Sequence, residues 1–224
     1  VPVQRHFSAL ADAVCHTEGG IGMCYEIHSI DNKSELTDCP VFYVDKYNWG
    51  GDYRPVTYGK MAYLRGFGFI VGMTCEEIDP LRVYKKNEEP VYLDSAMEAF
   101  IEFAPETKKG TYINIEMNAN GAMLNRYGQI PPGRKVYTEF TDAPCTCTAC
   151  INENSWTVEA AISLKYIKDL FGKEAYEPGD RIRLNFYKLC ASEIPEQHFG
   201  SYTVIDSPTW NFHKPEYFAE AVIV

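Results

Sequence analysis

Met97-Glu98-Ala99-Phe100-Ile101-Glu102-Phe103 and Tyr112-Ile113-Asn114-Ile115-Glu116-Met117-Asn118 are two arms of one pattern. In the first, Met97, Ala99, Ile101 and Phe103 alternate with Glu98, Phe100 and Glu102. In the second, Ile113, Ile115 and Met117 alternate with Tyr112, Asn114, Glu116 and Asn118. A period of two marks a strand that turns one face to a core. If the loop 104–110 closes symmetrically, Glu98 lies opposite Glu116 and the polar row reads Glu98, Glu102, Asn114, Glu116. Like charges directly across a ladder are unfavourable. A chain that keeps them either solvates that face or uses the carboxylates, for a polyhydroxyl ligand, a cation or acid-base work. In an acidic protein, the solvated outer face is the ordinary reading.

Working outward, the same period recurs between turn signals. Strands are expected at 22–28, 60–64, 67–73, 122–127, 135–140, 156–162, 181–188 and 218–223. A tight hairpin is expected across Arg65-Gly66 and a turn at Asn120-Gly121. The period switches at Ser163. Leu164, Ile167, Leu170 and Phe171 share a helical face, with Ser163 as N-cap and Gly172 as the stop. About ten short strands with one helix predict an all-β fold, an antiparallel two-sheet β-sandwich spanning 1–224 as one domain. Residues 1–58 are less regular and are expected as an irregular N-terminal extension packed on it.

Charge and composition exclude several classes. Lys and Arg total 21 against 31 Asp and Glu, a net charge of -10, and no basic block occurs, which argues against nucleic acid and anionic membrane as partners. No apolar run approaches the ~18 residues of a membrane span, and no basic-then-apolar leader opens the chain. The expectation is a soluble chain with no membrane insertion, cytoplasmic rather than secreted; the pattern does not address the oligomeric state. The 8 cysteines are too sparse for a disulfide scaffold and read mostly as small buried hydrophobes. Cys145, Cys147 and Cys150 form the one cluster. They could wrap a soft metal, take a redox role or have no role, and no fourth ligand lies nearby. G-x-S-x-G, P-loop and HExxH motifs are absent.

Aromatic residues are abundant, with 16 Tyr, 12 Phe and 3 Trp. Sugars are held by a flat ring over the C–H face and by planar carboxylates, amides or guanidinium groups on adjacent hydroxyls. Tyr92, Trp210 and Phe212 are the candidate rings, with Tyr187 as an outside candidate. Glu98, Glu116, Asn118, Arg183 and Asn185 are the candidate polar partners. Packing at the end of the fold is the commoner fate of any one of these rings.

The order of motifs carries a resemblance. Val91-Tyr92-Leu93-Asp94-Ser95-Ala96-Met97-Glu98-Ala99-Phe100 precedes Tyr112-Ile113-Asn114-Ile115-Glu116-Met117-Asn118-Ala119-Asn120-Gly121. Trp156-Thr157-Val158-Glu159-Ala160-Ala161-Ile162, Asn185-Phe186-Tyr187-Lys188, His198-Phe199-Gly200-Ser201-Tyr202 and Asn211-Phe212-His213-Lys214-Pro215-Glu216-Tyr217-Phe218 follow. From about Gly59 to the C-terminus the chain resembles carbohydrate-binding family 9-like proteins, relatives of modules attached to xylanases and of DOMON-like β-sandwiches. The resemblance implies a non-catalytic saccharide-binding protein, with a sugar chain end held between two aromatic positions. These fall on Tyr92 and on Phe212, with Trp210 as a near neighbour; the family's glutamate falls on Glu98 and its amide on Asn118. The family's arginine falls on Glu116, reversing the charge. No cofactor is implied except structural calcium, for which Asp79 and Asp94 are the candidate oxygen donors, although no Asp-rich loop marks a site. The alternative reading is a glycoside hydrolase using Glu98 and Glu116. A haem site through Met97 or Lys214, as in some DOMON-like domains, is the least supported.

Overall fold

The computed structural model describes residues 14–17, 20–193 and 196–224. The strands, in chain order, are β1 (Val14–Thr17), β2 (Gly20–Ile30), β3 (Val41–Tyr43), β4 (Lys46–Gly50), β5 (Thr57–Leu64) and β6 (Gly68–Cys75). They continue with β7 (Ala96–Glu102), β8 (Tyr112–Asn118), β9 (Met123–Gly128), β10 (Lys135–Val136) and β11 (Cys145–Ile151). The last are β12 (Trp156–Ser163), β13 (Arg181–Cys190), β14 (His198–Ser201) and β15 (Ala219–Ile223), with one helix, α1 (Leu164–Phe171), after β12. Ser163 caps α1 by accepting from the Tyr166 N–H, and Gly172 ends it in the left-handed region at φ 78. Both follow from local chemistry, because only a short side-chain oxygen reaches the first turn and glycine enters positive φ without a Cβ clash.

The architecture is mostly β, but it differs from two antiparallel sheets. The ladder runs β10-β9-β8-β7-β13-β15-β2-β5-β6-β12-β11 as one curled, mixed sheet. Strand β2 makes it continuous: Cys24 to Ile27 pair in parallel with β15, and His28 to Ile30 pair in parallel with β5. A strand this long reaches both halves of the sheet, and parallel neighbours distant in sequence leave no hairpin signature. Within the extension expected to be irregular, β3 and β4 are further strands, and β2, which covers the strand expected at 22–28, is central. Residues 135–140, expected as one strand, instead give the short β10 and a 3-10 turn. Residues 145–151, where no strand was expected, form the edge strand β11.

The curl brings Met97, Ala99 and Ile101 of β7 and Ile113 and Ile115 of β8 into one core with Val71 of β6 and with Val158 and Ile162 of β12. No described helix is long and apolar enough to cross a membrane.

One buried polar knot joins the two halves. Lys188 on β13 is fully buried, and its Nζ donates to Ser95 Oγ at 2.7 Å and to His198 Nε2 at 2.7 Å, with Glu77 Oε2 at 3.7 Å. Ser95 Oγ and Trp156 Nε1 donate to the same Glu77 oxygen, at 2.5 and 2.9 Å. Burial alone would raise the Glu77 carboxyl, but Lys188 and these two donors hold it below its usual range. Burial, then Lys188, pushes His198 down to about 4, so its neutral Nε2 accepts while Nδ1 is left to donate to the Glu196 carbonyl. Removing one partner of such a pair leaves a buried charge uncompensated. Lys188→Met should therefore destabilise the fold by roughly 3–5 kcal/mol in urea titrations, and adding Glu77→Gln should recover part of that loss.

Candidate functional site

The hairpin has the expected register: Glu98 of β7 pairs with Glu116 of β8, and Tyr187 of β13 flanks Glu98 on the other side. Directly opposed residues place their Cβ atoms about 4.5–5.5 Å apart. The face they share is not the solvated one the composition favours. Glu98 is 3% exposed, Glu116 6% and Asn114 1%. The segment between β14 and β15 lies over this face. Phe212 stacks on Tyr187 with centroids 4.0 Å apart, the His213 ring lies 5.1 Å from Phe100, and its Nδ1 is 2.8 Å from the Tyr112 hydroxyl. Both faces of β7 and β8 are thus buried, one by the main core and one by this cover.

Burial and then the Glu116 charge raise Glu98 well above the ordinary carboxyl range. Burial likewise raises Glu116 to about 7, opposed by a hydrogen bond from Asn114 and by the Arg134 charge. Asn114 Nδ2 donates to Glu116 Oε1 at 2.7 Å, whereas the buried Glu116 Oε2 has no hydrogen-bond partner. An orphaned buried carboxylate oxygen beside a second carboxylate is what a binding site leaves for a donor from outside.

The other candidates divide. Tyr92, 37% exposed, sits in the 3-10 turn before β7, and its carbonyl accepts from Ala191 N at the end of β13. Trp210, 48% exposed, stacks on Phe199, which pairs with Leu189 near the same end of β13. Phe212 is buried against Tyr187 and acts as a wall rather than an open platform. Three polar candidates are committed to the scaffold. Asn118 bridges Tyr84 O and Asp94 Oδ2 with its amide and accepts from Asn120 N and Ala122 N, which fills its capacity. Asn185 binds Thr203 from both ends of its amide. Arg183 pairs with Glu102, opposite it in register, and with the Phe218 carbonyl.

Arg134 and His213 border this face without having been expected. Arg134 lies 4.0 Å over the Tyr112 ring and binds Asn114 Oδ1, but it comes from a Pro-Pro-Gly loop with no periodic signal. A separate groove of about 500 Å³ lies on the other half of the sheet, along Tyr58, Thr74 and Thr157 and under the Lys33–Glu159 ion pair.

The metal expectations meet unfavourable donor sets. Both Asp94 oxygens accept N–H groups, from Val83, Tyr84 and Asn118, while Asp79 is exposed and paired with Arg82. Neither is arranged for calcium, and the described residues contain no group of three potential metal ligands among His, Cys, Asp and Glu. On β11, Cys145 and Cys147 face inward and Cys150 outward, so the three thiols cannot close on one ion. Met97 packs in the main core, whereas Lys214 sits beside Glu216 in the cover over the opposite face. Cys24 is disulfide-bonded, and six other cysteines are free.

The family assignment follows. The model of carbohydrate-binding family 9 matches residues 29–223. The chain belongs to carbohydrate-binding family 9. A Bacteroides uniformis protein described as a candidate carbohydrate-binding protein is 18% identical, with a TM-score of 0.74 over 91% of this chain and 100% of its own. A family 9 module from Caldicellulosiruptor kristjanssonii was solved with glucose, at 12% identity, a TM-score of 0.60 and coverage of 89% and 95%. It was also solved with cellotriose, at 12% identity, a TM-score of 0.59 and coverage of 88% and 93%. These likenesses establish a family 9 fold. A comparison with curated proteins found no match.

Two predictions come from this geometry. A carboxyl raised on folding stabilises the protein below its ordinary range and loses that contribution as pH rises toward about 7. Glu116→Gln should therefore raise Tm at pH 8 and change it little at pH 4.5, as read by calorimetry. For the free thiols, Cys147 is half-buried and pushed up to about 12 by burial and then by Glu159, whereas Cys150 is exposed. A native thiol titration should label Cys150 first, and Cys150→Ser should abolish the fast phase.

Proposed function

We propose that this family 9 protein is a non-catalytic saccharide-binding domain with Tyr92 and Trp210 as its exposed rings and the carboxyl pair Glu98 and Glu116 as its polar group. The observation that carries the reading is the orphaned Glu116 Oε2 beside Glu98, with two exposed rings, Tyr92 and Trp210, near the end of β13, the strand whose Tyr187 flanks Glu98. Family membership supports the ligand class, as do the glucose and cellotriose bound to the Caldicellulosiruptor module. An aromatic ring over a sugar face and charge-assisted hydrogen bonds from its hydroxyls are the interactions these groups can supply. Exposure of both rings leaves them free to act as platforms, whereas the buried Phe212 shapes the wall behind them.

Calorimetric titration with glucose, cellobiose and cellotriose should detect binding. Tyr92→Ala and Trp210→Ala should each weaken it by about tenfold, the loss of one stacking contact. Unchanged affinity in both variants would remove the rings from the site.

The opposed carboxylates also carry a second reading. Retaining glycosidases place two carboxyl groups about 5–5.5 Å apart, and this register permits that spacing. Against it, one of the two must be ionised as nucleophile, whereas burial raises both here. Release of nitrophenol from nitrophenyl glycosides that vanishes in Glu98→Gln would establish catalysis; binding without turnover supports the first reading.

We further read residues 1–224 as a single domain with its curled halves packed in the manner of a sandwich. The Cys24 disulfide supports an oxidising compartment over the cytoplasmic one expected from the sequence.

A further inference from the structure

Among the described residues, the cations bordering Glu98 and Glu116 are already engaged, Arg126 by Glu88. Arg134 is the nearest guanidinium, but its Nε and Nη2 bind Asn114 Oδ1, its Nη1 binds the carbonyls of Gly128 and Gln129, and its Nη2 also reaches those of Tyr112 and Arg126. Its charge acts on Glu116 only from a distance. Arg183 is held by Glu102, and Lys188, one residue from Tyr187, is tied into the knot with Ser95 and His198. Glu116 Oε1 is satisfied by Asn114, and its buried Oε2 is not.

Burial raises both carboxyls, so the empty pair holds protons, and a cation delivered between them would release those protons and meet the charges that appear. A sugar hydroxyl donates one hydrogen bond and brings no charge. A calcium ion would require about 6–8 oxygen ligands, and the remaining acceptor of the row, Asn114 Oδ1, already receives Arg134. An ammonium brings one full charge and three N–H donors on a single atom, which matches two carboxylates on adjacent strands.

Resting on the saccharide reading, we propose that the site selects sugars bearing a free amino group over their neutral and N-acetylated counterparts, with the ammonium held between Glu98 and Glu116. N-acetylation removes the charge and two of the three donors, so this one change discriminates between ligands of otherwise similar shape.

The test is calorimetric titration of the intact chain at pH 6.5 with glucosamine, N-acetylglucosamine and glucose, and with the corresponding amino, N-acetylated and neutral oligosaccharides. Calcium chloride alone is a further arm. The amino forms should bind at least about tenfold more tightly, and the advantage should shrink as salt is raised. Glu98→Gln and Glu116→Gln, both near-isosteric, should each weaken binding of the amino sugars more than binding of the neutral sugars, so that the advantage disappears, with folding checked by circular dichroism. Equal or tighter binding of the neutral or N-acetylated forms overturns the amino-sugar proposal and leaves the saccharide reading standing. Absence of binding to every sugar overturns both. Calcium binding that depends on Glu98 and Glu116 assigns the pair to a metal and overturns the proposal.

Discussion

The buried contact between Lys188 and Glu77 is the constraint on which the architecture rests. Glu77 follows β6, Trp156 begins β12, Ser95 immediately precedes β7, Lys188 lies on β13 and His198 begins β14. Five segments from both halves of the curled sheet therefore meet at one fully desolvated charge. Such a pair adds little net stability by itself, because desolvating both groups offsets most of their attraction. It does penalise any packing that separates them. Sliding β13 along β7 would pull Lys188 away from Ser95, and the same slide would move Tyr187 off Glu98. The knot and the candidate site sit on opposite faces of β13 and share one register.

That register also accounts for Tyr92. Asp94 accepts the Val83 and Tyr84 N–H groups and the Asn118 amide, and Ser95 N bonds the Leu81 carbonyl before its hydroxyl enters the knot. The turn that exposes Tyr92 is thus bound on its C-terminal side by residues buried at 1%. An exposed ring on a rigid support gives up little conformational freedom on binding a ligand, which is what a recognition platform requires.

The parts legible in the sequence are those whose cause is local. Ser163 and Gly172 bound α1 because capping acts within one turn, and Glu98 faces Glu116 because a hairpin loop transmits register directly. Strand β2 was expected at 22–28, but its central place was not, because its partners, β15 and β5, lie far along the chain and in parallel. Burial of the carboxylates was hidden for the same reason. The cover that carries Phe212 and His213 comes from about a hundred residues downstream, and no periodicity in β7 or β8 encodes it. Asn118 and Asn185 look like ligand-binding amides because type and parity do not reveal which hydrogen bonds a side chain already makes.

Once covered, the polar row has to be explained residue by residue. Glu102 is answered by Arg183 and by the Gly110 N–H, and Asn114 by Arg134. Among the described residues, Glu98 and Glu116 are the members of the row without an ion pair, although an apolar side chain at either position would carry no desolvation cost. A fold that satisfies its other buried acids so completely has no structural need for this pair. The two carboxylates raise the energy of the unliganded protein, and a ligand that supplies the missing charge would recover that energy on binding. This is the physical reason to place the site between them rather than in the open groove on the other half of the sheet, where Lys33 already neutralises Glu159.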